Sequence, residues 1–243
     1  MNCPGCKAEQ DIRNKTCTFC GIIFAQHVSY KSKQKRKTTA RQAVDGDSNA
    51  IPSLFWTIPN SLSTASFFAY LILLTTLLVW SFSLITPSIA DNTVALPFLN
   101  RVNLIFHEAG HVIFSPFGHF IHSLGGTLGQ LLMPAICFWV LLVKTRDPFG
   151  GSVALWWLGE SFLDTTRYIN DARAGVLPLL GGGTGQTRPY GHHDWQYLLT
   201  ETGLINLDHI IAKFVFFIGT LIMITALIWL GLLLFKLYKQ CYN

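Results

Sequence analysis

Between Arg101 and Lys144 the chain carries a single formal charge, Glu108, in a stretch otherwise rich in Leu, Ile, Phe, Val and Gly. A segment this long and this apolar must be covered by other helices or by lipid, because water offers it no partner. A carboxylate placed there costs about 2.5 to 3.5 kcal/mol unless it faces a polar cavity, a partner or a metal. Two further runs, Leu62–Ile85 and Phe214–Phe235, are uncharged and apolar over their whole length. Each meets the ~20 residues that a helix needs to span a bilayer. Half of all residues are hydrophobic, 13% are charged and the mean hydropathy is +0.38, which excludes a soluble globular domain for most of the chain.

The expected fold class is therefore an all-α polytopic membrane helical bundle, of about four to five membrane helices; the pairs Cys3-x-x-Cys6 and Cys17-x-x-Cys20 ahead of it point to a small N-terminal zinc-ribbon domain. Val102–Phe117, Ile121–Val143 and Gly151–Ile169 are helical by composition. They are interrupted by Gly, Pro and ionisable residues, as expected where helices line a site rather than lipid.

The lone charge belongs to a motif. His107, Glu108, Ala109, Gly110 and His111 spell H-E-x-x-H. Two imidazoles four residues apart on a helix share one face and can hold a single Zn²⁺, while the glutamate between them serves as base toward a water that the metal polarises. The competing reading is a pair of histidines and a glutamate hydrogen-bonded inside a bundle.

The N-terminus reads as a separate domain, 1–27. Cys3, Cys6, Cys17 and Cys20 form C-x2-C-x10-C-x2-C, and two such hairpin knuckles place four thiolates around one structural Zn²⁺. Two disulfides are the competing arrangement; a cytosolic location, where thiols stay reduced, favours zinc. Cys137 and Cys241 fit neither knuckle. No apolar core of a secretory signal is visible in the first thirty residues. A basic polar linker, 28–53, follows, with Lys31, Lys33, Lys35, Arg36, Lys37 and Arg41. Its charge is expected to hold the N-terminus in the cytoplasm and to touch anionic lipid headgroups. Nucleic acid is disfavoured as its partner, since the run lacks interleaved aromatics. The ribbon offers a docking site for a cytosolic protein.

Residues 54–243 form the expected membrane domain carrying the H-E-x-x-H site, in an integral, multi-pass protein of the cell membrane. If Lys144, Arg146, Lys236 and Lys239 all lie inside, the simplest topology has four crossings with Val102–Phe117 as a half-helix; a five-crossing arrangement is the alternative. Gly125 and Gly129 have the small-x-x-x-small spacing of close helix packing, Gln130 brings an amide toward the site, and His119 and His122 are either additional ligands or structural.

A catalytic zinc takes three protein ligands and leaves one position open. Glu160, Asp164, Arg167 and Asp171 line one face of an apolar helix, where they either need a cation or form their own salt-bridge ladder. Beyond them, Gly191-His192-His193-Asp194-Trp195 follows a glycine-rich loop, and its tandem histidines are placed to add a metal contact or to stabilise an oxyanion. The candidates for the third ligand are Glu160, Asp164, Asp171 and His193.

Here the chain resembles known families. His107-Glu108-x-x-His111 with Glu160-x-x-x-Asp164 about fifty residues on is similar to the gluzincin arrangement. That resemblance implies Glu160 as zinc ligand and Asp164 as the group that orients a ligand histidine. The setting among apolar helices resembles the site-2-protease family, whose third ligand is the aspartate of an Asn-Pro-x-Asp-Gly type motif. That motif is missing, and Asn170-Asp171 is its nearest approach. We choose Glu160, which lies in the apolar part of its helix, where an unpaired carboxylate is least tolerable.

The expected function is that of an integral membrane zinc metallopeptidase, with Glu108 as base and a peptide or membrane protein as substrate, cleaved in or near the bilayer. The alternative is a non-catalytic membrane adaptor or metal-binding protein.

Overall fold

A computed structural model of the chain describes residues 2–3, 6–9, 11, 13–18, 20–23, 50–58, 63–87 and 97–242. The basic cluster of the expected linker, Lys31 to Arg41, lies outside the described residues. Two compact units are present, Met1–Ser53 and Leu54–Asn243.

In the first unit two short turns repeat each other. Isolated antiparallel bridges pair Asn2 with Glu9 and Thr16 with Ile23, each closing a loop around one Cys-x-x-Cys pair. In each loop the amide after the second cysteine donates to the first cysteine's carbonyl, Lys7 to Cys3 at 2.9 Å and Gly21 to Cys17 at 3.0 Å. That geometry needs a left-handed residue, so Lys7 has φ 61° and Gly21 φ 73°.

The second unit is helical. Its elements are the last three residues of α1 (Ala50–Trp56), then α2 (Thr64–Ile85), α3 (Pro97–Phe114), α4 (His119–Trp139), α5 (Pro148–Asn170), α6 (Asp194–Glu201) and α7 (Asp208–Tyr242). α1 begins in the last residues of the expected linker, 50–53. α4 runs on as a π-helical turn, Val140–Thr145.

The boundaries follow local chemistry. Ser63 and Ser66 form a reciprocal capping box at the start of α2. Asp147 caps α5 by accepting from the Gly150 amide at 3.0 Å, with Pro148 in the first turn. Between α3 and α4 the chain turns through Ser115-Pro116-Phe117 and then Gly118, whose φ of 92° only glycine adopts without strain. The helix expected over Val102–Phe117 thus starts earlier and stops at this turn.

Among the described residues three helices are long and apolar enough to cross a membrane, Thr64–Ile85, His119–Thr145 and Ile205–Gln240. The expected four to five are not reached on this measure, because α3 and α5 carry the polar residues of the interior: Asn100, Asn103, His107, Glu108 and His111 on one, Glu160, Asp164 and Arg167 on the other. α3 has its apolar stripe outside, with Phe98, Ile105 and Val112 exposed at seven-residue intervals, while Asn103 is fully buried. This inverts the pattern of a helix on a soluble protein and matches one with lipid outside and a polar site inside.

The main core lies between α2, α5 and α7, with Leu77, Phe149, Trp156, Leu163, Met223 and Leu233. Trp156 settles its indole N–H by donating to Ser81 Oγ at 2.7 Å. The start of α2, the start of α5 and the end of α7 gather at one end. There Tyr70 stacks on Phe149 at 4.0 Å and Lys236 donates to the Trp56 carbonyl at 2.7 Å.

α3 and α4 pack backbone against backbone. A Cβ on Gly110 would overlap the Gly125 carbonyl and lie 3.1 Å from the Gly129 Cα, so the expected small-x-x-x-small contact on α4 has Gly110 as its counterpart on α3. Gly110→Ala should force the two helices apart and lower stability by about 1 to 3 kcal/mol. Its thermal midpoint in detergent would be compared with that of the parent; an unchanged midpoint would contradict so close a contact.

Candidate metal centres

α3 aims its imidazoles at one point. His107 Nε2 lies 3.0 Å and His111 Nε2 3.2 Å from the same oxygen, Oδ2 of Asp194. The three donor atoms lie within 4.8 Å of one another. Neighbouring donors around a tetrahedral zinc, with bonds of about 2.0 to 2.1 Å, stand about 3.3 Å apart, so the spacing fits. α4 leaves room for the cluster at Gly126, where a Cβ would come within 2.5 Å of His107 Nε2 and 2.6 Å of His111 Nε2.

The protons of His111 are constrained. Its Nδ1 lies 2.8 Å from the His122 carbonyl oxygen, which can only accept, so Nδ1 carries the hydrogen. In the neutral ring Nε2 then offers a lone pair toward the Asp194 carboxylate. Two acceptors at 3.2 Å require a cation between them, either a metal or the extra proton of an imidazolium. His122 returns the bond, donating from Nδ1 to the His111 carbonyl at 3.0 Å, and so ties the helix ends together.

Asp194 is delivered by a relay. At the end of α5 the Asp171 carboxylate accepts from the amides of Val176 and Leu177, at 3.0 and 2.9 Å, and so anchors the loop that follows. The buried His193 donates from Nε2 to Asp171 Oδ2 at 3.3 Å, while its Nδ1 accepts from the Gln196 amide and caps α6. Asp194 is the next residue. Burial works against its charge, but the hydrogen bonds and charge of the two imidazoles outweigh it and hold the carboxyl below the usual carboxylate range.

Glu108 borders the same cavity of about 640 Å³ and, among the described residues, takes part in no hydrogen bond or ion pair. Its carboxylate is free to accept a proton from something bound there.

The other expected ligands go elsewhere. Glu160, almost fully buried, accepts from Asn103 Nδ2 at 2.9 Å and is not brought to the imidazole pair. Asp164 accepts from Asn100, Asn103, Gln130 and Arg167 at 3.0 to 3.3 Å. The acids of α5 therefore have a neutral reason to exist: side-chain amides and one guanidinium satisfy them and bind α3, α4 and α5 together. Of the expected salt-bridge ladder, Arg167 pairs with Asp164. Asp171 and His193 support the neighbour of the site rather than join it. His119 packs edge-on to Tyr197 at 4.4 Å.

Asp194 is the residue that sequence reasoning passed over. Its signal was present: a polar, glycine-rich loop ends on His193, a residue able to cap, and Asp194 opens a helix whose Trp195, Leu198 and Leu199 share a face.

In the N-terminal unit the Cys3 and Cys20 sulfurs are 3.6 Å apart, as are those of Cys6 and Cys17. All four lie within 4.8 Å of one another and none is in a disulfide. The edge of a tetrahedron with Zn–S bonds of about 2.3 Å is about 3.8 Å, so the four sulfurs are spaced for one ion. No family model, no curated protein and no solved structure matches the chain.

Proposed function

We propose that the chain is an integral membrane zinc peptidase, in which His107, His111 and Asp194 hold the catalytic ion and Glu108 is the base. The observation that carries this reading is the shared Asp194 oxygen, 3.0 and 3.2 Å from two imidazole nitrogens, one of which cannot donate to it in the neutral ring. Two nitrogens and one carboxylate oxygen with a fourth position open is a donor set that zinc uses in hydrolases. Bound there, Zn²⁺ would supply a Lewis acid that acidifies water and polarises a carbonyl.

The chain's own residues do the rest. Glu108, unpaired on the cavity wall, takes the proton of the attacking water and later returns it to the leaving amine. Gly126 keeps the space at the two nitrogens clear. His193 and Asp171 fix the direction of Asp194, and His122 fixes that of His111. The substrate is a peptide or a membrane protein cleaved in or near the bilayer, since the site lies on helices whose outer faces are apolar. The same surface supports a multi-pass protein in contact with membrane lipid. Lys144, Arg146, Lys236 and Lys239 would face the cytoplasm together with the N-terminus, in keeping with the shared end of α2, α5 and α7.

The N-terminal unit is proposed to bind a second, structural zinc and to present its two knuckles to a cytosolic protein. Metal analysis of the intact, detergent-extracted protein should find two zinc ions per chain, and Cys3→Ser with Cys17→Ser should remove one of them. A single ion in the parent that survives the double substitution would rule out the structural site; none at all would rule out both.

A further inference from the structure

Hydroxyls inside apolar helices are normally spent on their own backbone. Thr75, Thr76, Ser81, Thr165, Thr166 and Thr225 each donate to the carbonyl four residues back, at 2.7 to 2.9 Å. Thr127 departs from this. It is 5% exposed, its Oγ1 has no hydrogen-bond partner, and it lines the cavity that holds His107, Glu108, His111 and Asp194. Its chain neighbour is Gly126, which lies against the Nε2 atoms of both histidines. One turn on, Gln130 borders the same cavity with its amide nitrogen committed to Asp164 at 3.0 Å. Trp195 also borders the cavity, and its buried indole N–H is likewise without a partner.

A buried donor left unmade costs about 1 to 3 kcal/mol, so a cavity bordered by two residues that each carry one is suited to a ligand that brings acceptors and no donors of its own. A carbonyl oxygen is such a group. Resting on the peptidase reading above, we propose that Thr127 binds the carbonyl oxygen of the scissile amide and stabilises it as charge develops. When the water oxygen bonds to the carbonyl carbon, the π pair of the C=O moves onto that oxygen and the water proton passes to Glu108. Thr127 Oγ1–H donates to the oxygen, more strongly once it is anionic. Collapse restores the C=O, breaks the C–N bond and returns the proton from Glu108 to nitrogen. A helix-borne side chain suits this task, because its position is set by the α3–α4 glycine contact rather than by a loop.

The test uses zinc-loaded, full-length protein and acetohydroxamate, which presents a carbonyl oxygen to an open zinc site and has no free position to bind at a four-sulfur site. Calorimetric titration should give Thr127→Val a dissociation constant roughly 5- to 10-fold weaker than the parent at unchanged zinc content, as for one lost hydrogen bond. Thr127→Ser should bind as the parent does. So should Thr220→Val, which removes an equally orphaned buried hydroxyl on α7, away from the cavity. Equal affinity of Thr127→Val and the parent would overturn the assignment of Thr127 and leave the metal site standing. A parent that carries zinc in the membrane unit and binds no acetohydroxamate, or carries no zinc there, would overturn the peptidase reading and this inference with it.

Discussion

Asp194→Ala is expected to strip zinc from the membrane unit as completely as His111→Ala, weakening affinity by more than about 100-fold, while Glu160→Ala leaves that zinc in place. The expectation rests on where the two carboxylates point: Asp194 Oδ2 stands 3.0 and 3.2 Å from the imidazole nitrogens, and Glu160 Oε2 stands 2.9 Å from the Asn103 amide. His193→Ala belongs in the same series. It removes the imidazole that braces Asp194 against Asp171, and loss of such an outer contact typically costs 10- to 100-fold in metal affinity. The readout is zinc content against a graded chelator series in detergent. Loss of zinc in Glu160→Ala with retention in Asp194→Ala would reverse the assignment.

The second large effect belongs to Glu108. Glu108→Gln keeps the shape of the side chain and removes its basicity, so it should retain both fold and zinc while hydrolysis of a peptide substrate falls by roughly 10²- to 10⁴-fold. Because Glu108 makes no hydrogen bond or ion pair among the described residues, the change leaves no partner stranded, and stability should stay within about 0.5 kcal/mol of the parent. The comparison is kcat against zinc content and thermal midpoint for both proteins. A fully active Gln variant would exclude the mechanism; a collapsed one would argue that the carboxylate holds the bundle together.

How far the chain could be read in advance depended on the range of each interaction. Helical character, the Cys-x-x-Cys pairs and the shared face of His107 and His111 are local, set by spacings of three and four residues, and all were legible. The tight α3–α4 contact was half legible: Gly125 and Gly129 advertised a close approach, but nothing in their spacing named Gly110. That Asp194 and not Glu160 stands beside the imidazole pair has a physical reason. A carboxylate within an apolar helix looks as though it needs a cation, which favoured Glu160. Glu160 takes the amide of Asn103 instead, and Asp164 takes those of Asn100, Asn103 and Gln130 beside its Arg167 partner; these amides are scattered over two other helices. Asp194, preceded by two histidines, reads as part of a polar loop, and only the Asp171–His193 brace makes it an inward-facing group.

That brace has a consequence for how the protein matures. His107 and Asp194 are 87 residues apart in the chain, and the carboxylate arrives only after α5 and the loop anchored on Asp171 are complete. A nascent chain that has inserted α3 and α4 therefore holds two imidazoles and a free glutamate but no finished donor set. It has no means to retain the ion tightly at neutral pH. On the proposed reading, completion of the donor set is thereby tied to the loop that follows α5 rather than to the arrival of α3 and α4.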